Sequence, residues 1–140
     1  MIGGLSNYRK ALHHLSNLDA ELKLVIAGNH DISLDPKWWA ENLDEEEGDD
    51  PEEPVKSRQL FDDERQRGVH LLDEGLHTFT LGDGRSFKVF ASPFTPECGG
   101  YAFSYPRDEN HHPGGCRHCD DTRAAAADIY VVFFLRSLPS

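Results

Sequence analysis

The sequence is poor in several things that would have placed it quickly. Basic residues are few: Lys and Arg number 14 against 25 Asp and Glu, giving a net charge of -11 over 140 residues. A surface of that sign repels phosphate backbones and anionic headgroups, so no nucleic-acid surface and no membrane partner are expected. Cysteine is scarce and odd in number, with three in all, which excludes the paired framework of a small secreted domain. The longest apolar run, Ile129 to Leu135, is far too short to span a bilayer. Met1-Ile2-Gly3-Gly4 lacks the basic stretch and apolar core of a signal peptide. There are no internal repeats. Together these absences lead to the expectation of a cytoplasmic protein.

What is present reads as alternating helices and strands. Tyr8, Ala11, Leu12, Leu15 and Leu18 recur at helical spacing, so a helix is expected over Asn7–Asp19 with Ser6 as its N-cap. Leu22–Ala27 is a short, almost wholly apolar run interrupted by Lys23, suited to a central strand covered on both faces. Asp35-Pro36 is a helix start, with that helix expected to stop near Leu43. The acidic stretch Asp44–Pro54 holds much of the charge imbalance and reads as a solvated loop. Val55–Arg67 is expected to be helical and closed by Gly68, followed by a strand over Val69–Leu72. His77–Leu81 and Phe87–Ala91 flank Gly82-Asp83-Gly84-Arg85 as the arms of a hairpin, and Tyr101–Tyr105 reads as a further strand. Helix, strand, loop and helix in this order give the α/β class.

The chemistry-bearing stretch is Gly28-Asn29-His30-Asp31, directly after the buried strand. Ligands in open α/β sheets gather at the carboxyl ends of strands. There an Asn oxygen can bind a divalent metal, a His can protonate a leaving alkoxide, and an acidic neighbour can orient that imidazole. The competing reading of the same letters is a polar turn carrying a surface His.

Gly28 to Asp31 resembles the Gly-Asn-His-Asp/Glu motif of the calcineurin-like metallophosphoesterases. Gly4-Leu5-Ser6-Asn7-Tyr8, Leu24-Val25-Ile26-Ala27 and Ala91-Ser92-Pro93-Phe94-Thr95-Pro96 resemble a fungal subfamily of the same group. The resemblance implies a partial four-layer α/β/β/α sandwich over residues 1-109. It further implies hydrolysis of a small-molecule phosphoester, most naturally a phosphodiester, at two divalent metals (Mn, Fe or Zn). Asn29 would be a metal ligand, His30 the general acid and Asp31 its support.

Four further motifs of that group are not legible: an Asp-x-His and a Gly-Asp before Gly28, then a lone His and a Gly-His-x-His after it. Gly82-Asp83 comes too late in the chain and reads as turn chemistry. Met1 thus reads as an internal methionine. Residues 110–140 read as an out-of-frame or non-native tail. Back-translated and read one nucleotide later, His112 to Ala125 permits the group's next motif, its lone His falling across Thr122 and Arg123. The expectation is therefore an inactive hydrolase fragment whose metals are not retained.

The alternative is a non-catalytic zinc-binding interaction module built on Cys116 and Cys119 with His111, His112 and His118. His13 and His14 read as surface residues and Trp38 and Trp39 as packing residues. Cys98 has no base near it in sequence.

Overall fold

The computed structural model describes residues 3–97 and 99–109, and the backbone of 130–135. The first helix, α1, spans Leu5–Ser16 and buries Tyr8, Leu12 and Leu15, three of the residues that set its period. It starts earlier than expected. Gly4, not Ser6, is the N-cap, at φ 122°, with no side chain capping the helix. Leu18 falls beyond the helix end and is exposed.

Strand β1, Ala20–Ile26, is central. It pairs in parallel with β2, Val69–Leu71, and antiparallel with β7, Tyr130–Leu135, an element the sequence reading did not anticipate. Alternation along the strand divides its side chains between two cores. Val25 and Ala27 join Tyr8, Leu12, Leu15, Leu34, Phe61, Val69 and Leu71 on the helix side. Leu22 and Leu24 join Leu72, Leu81 and Ala91 on the other. Lys23, the polar interruption, is buried with its Nζ donating to the Arg67 carbonyl at 2.7 Å, so the ammonium is bonded at the strand's edge.

Asp35 caps α2, Pro36–Asn42, as expected: its Oδ1 accepts from Lys37 N at 3.1 Å and Trp38 N at 3.2 Å. Trp39 is buried and donates through Nε1 to the Asp50 carbonyl, which fits a packing role. Helix α3, Glu53–Asp63, begins inside the acidic stretch, with Pro54 in its first turn. A 3₁₀ turn at Arg65–Arg67 and left-handed Gly68 (φ 81°) lead into β2. The hairpin β3–β4, Gly75–Thr80 and Ser86–Ala91, pairs Thr78 with Lys88 and Phe79 with Phe87. Its turn is closed by Leu81 N to Arg85 O at 2.8 Å and by Arg85 N to Asp83 Oδ1 at 3.0 Å, so Asp83 serves the turn. Phe79, Phe87 and Val89 pack from this hairpin onto the second core.

The expected strand Tyr101–Tyr105 is shorter. Only β6, Ser104–Tyr105, is strand, paired in parallel with β5, Thr95–Pro96. Phe103 at φ 49° breaks the extended run. The mixed α/β class stands. A four-layer sandwich is not shown: among the described residues, helices pack on one face of β1 and the hairpin on the other.

Candidate functional site

Gly28–Asp31 lies just past the carboxyl end of β1, where the strand order helix, strand, loop was expected to put it. The turn is locked by reciprocal bonds: Asp31 N donates to Gly28 O at 3.0 Å, and Gly28 N donates to Asp31 Oδ2 at 2.8 Å. Both Asn29 and Asp31 are buried, each with 4% of its surface exposed. Asp31 also opens the 3₁₀ turn Ile32–Leu34, its carbonyl accepting from Leu34 N at 2.8 Å. From the other side, Gly3 N donates to His30 O at 2.7 Å. A Cβ on Gly3 would meet the Tyr8 hydroxyl and the Asp31 backbone, so only glycine threads this gap.

Tyr8 and Ser33 complete the inner wall, Ser33 Oγ donating to the Tyr8 hydroxyl at 3.3 Å. Burial pushes the Tyr8 phenol well above its ordinary value, opposed by the Ser33 bond and reinforced by the Asp31 charge. The folded state therefore holds the neutral phenol. This contribution is complete below the unfolded value of about 10 and is lost as pH rises above it. The urea midpoint is expected to fall more steeply in the alkaline range for the wild type than for Tyr8→Phe, and equal slopes would remove this role.

His30 is half-buried, and its ring lies 4.5 Å from that of Tyr101, the two planes at 50°. Sequence reasoning missed Tyr101: it lies far along the chain in a Gly-rich loop, with no local signal linking it to the turn. It also missed that Asp35, besides capping α2, accepts from Phe103 N at 3.0 Å through Oδ2 and so ties the same loop to this end of the sheet.

Asn29 offers one neutral side-chain oxygen and Asp31 has an oxygen committed to Gly28 N. Among the described residues, no group of three or more His, Cys, Asp or Glu could hold a metal ion. Cys98 and the Cys116, Cys119, His111, His112 and His118 cluster lie outside the described residues, as does all of the tail but the β7 backbone. No helix among the described residues is long and apolar enough to cross a membrane.

No family model matches the chain, and no solved structure matches it. A curated relative, "Probable rhamnogalacturonate lyase C" of Emericella nidulans, is 30% identical over 107 residues, covering 76% of this chain. That stretch is 9% of the relative, so the chain spans about a tenth of its length. The resemblance to calcineurin-like metallophosphoesterases is corrected by these findings. The similarity is to a protein named as a lyase, a different enzyme class, and no family model supports the hydrolase, phosphodiesterase or metal-binding descriptions. The physical reason is that Gly, Asn and Asp are what a tight, self-bonded turn selects by itself.

Proposed function

We propose that this chain is a non-catalytic α/β segment of a larger protein, in which the Gly28–Asp31 turn closes the helix-side core. The observation that carries the reading is the inward Asp31 carboxylate, buried and bonded to the Gly28 amide. A buried carboxylate that accepts from the backbone stabilises a turn and leaves no amide unpaired. The relative's name describes a protein about ten times longer than the shared stretch, which is compatible with a segment that supports chemistry done elsewhere.

Two substitutions test this. Asp31→Ala strands a buried amide and is expected to lower stability by about 1–3 kcal/mol. His30→Ala, at a half-buried position, is expected to cost less than about 1 kcal/mol. The order of the two urea midpoints is the readout, and a larger loss for His30→Ala would contradict the structural role of Asp31. The purified chain, incubated with rhamnogalacturonate, should release no unsaturated product detectable by ultraviolet absorbance. Release that depends on His30 would overturn the non-catalytic reading.

A further inference from the structure

Strand β3 has one open edge. The bond from Leu81 N to Arg85 O marks a hydrogen-bonded position of the hairpin ladder, and such positions alternate along antiparallel strands. In the observed register the pairs Phe79 with Phe87 and His77 with Val89 are therefore bonded, and the N–H and C=O groups of Leu76, Thr78 and Thr80 face away from β4. Among the described residues, no backbone or side-chain group bonds to them.

This edge also lacks the devices that keep exposed edges apart. Gly75–Thr80 contains no Asp, Glu, Lys, Arg or Pro, and its pairing runs without a bulge. On a chain of net charge -11, an uncharged strand is a place where two copies can meet without like-charge repulsion. The other edge of the hairpin is guarded: Lys88 stands exposed at the middle of β4, and a two-fold pairing centred there would set Lys88 against its own copy.

A second copy fits β3 in register. Antiparallel pairing about Thr78 sets Thr78 opposite Thr78 and Leu76 opposite Thr80 of the second copy, so each outward N–H meets an outward C=O. Leu76, 63% exposed beside its cross-strand neighbour Phe90, is covered by that Thr80. On the inner face His77 meets Phe79 of the second copy, continuing the Phe79–Phe87 row, whose ring centroids lie 5.9 Å apart. A two-stranded sheet, marginal by itself, becomes four-stranded. We propose that this chain forms a symmetric dimer through antiparallel pairing of β3 with β3 of a second copy. The proposal does not depend on the role given to the Gly28–Asp31 turn.

The test is sedimentation velocity of the full chain across a concentration series, with three Thr78 samples. The parent is expected to show a concentration-dependent monomer–dimer equilibrium. Thr78 is exposed, so Thr78→Lys and Thr78→Glu should leave the unfolding midpoint in place. Each puts like charges on the two-fold axis and should weaken its own dimer at least roughly tenfold, while an equimolar mixture of the two should restore dimer. Amide exchange supplies a second readout: Leu76, Thr78 and Thr80 should gain protection as concentration rises, whereas His77 and Phe79 are protected throughout. A parent that stays monomeric across the series, a dimer that Thr78→Lys leaves unchanged, or a mixture no more dimeric than its components would each overturn the proposal.

Discussion

Phe61→Ala is expected to cost about 3–5 kcal/mol of folding stability, the range for removing a fully buried phenylalanine. Phe61 is 1% exposed and sits on the inner face of α3, with its ring centroid 5.7 Å from that of Tyr8 on α1. It belongs to the cluster that joins α1, β1, α3 and β2, so no single neighbour can collapse into the space it leaves. A domain of this size holds about 5–15 kcal/mol in total. The variant should therefore unfold at much lower urea, with a fraction already unfolded in water. Val55 on the same helix is 71% exposed, and Val55→Ala should stay within about 0.5 kcal/mol of the parent. A loss below about 1 kcal/mol for Phe61→Ala would mean that α3 is not packed as described.

Gly68→Ala is the second large effect. Gly68 sits at φ 81°, a conformation that costs an L-residue about 1–2 kcal/mol. An added Cβ would also lie 2.2 Å from the Glu21 carbonyl oxygen, a backbone atom that cannot swing aside. Relief requires separating the start of β2 from β1, where Lys23 N donates to Gly68 O at 2.8 Å. The combined loss is expected to reach about 3 kcal/mol or more, because conformational strain and a broken strand contact add. Gly84 isolates the two causes. It has φ 87° but open space around a would-be Cβ, so Gly84→Ala should show the conformational cost alone, about 1–2 kcal/mol. Equal losses at the two glycines, read from urea midpoints, would remove the close approach at Glu21 from the account.

The parts of the fold that were legible in the sequence are those decided by neighbours along the chain. Leu22–Ala27 announced a strand covered on both faces, and the two cores take its alternate residues. Asp35-Pro36 announced a cap, and Gly82–Arg85 a hairpin turn, because both are set by local hydrogen bonding. What was not legible depends on distant partners. Gly4 replaces Ser6 as the start of α1 in a segment where Gly3 also bonds to His30 O across the fold. The pairing of Thr95 with Ser104 is made across an irregular loop and that of β7 with β1 is long-range, and neither leaves a local period. The site was half legible. Sequence order placed Gly28–Asp31 at a strand end, but the direction of the Asp31 carboxylate and the arrival of Tyr101 over His30 are tertiary facts. The four letters that suggested a catalytic motif are equally those of a turn bonded to itself, and the letters alone do not separate the two.

The central claim is that the turn is a structural closure and not a metal-dependent site. Calorimetric titration of the full chain with Mn²⁺ tests it most directly, because Mn²⁺ favours oxygen and imidazole donors over the thiols of Cys116 and Cys119. The account predicts no saturable binding at the turn, and the same trace for the parent and for Asn29→Ala. Stoichiometric, saturable binding of Mn²⁺ that Asn29→Ala abolishes would contradict it.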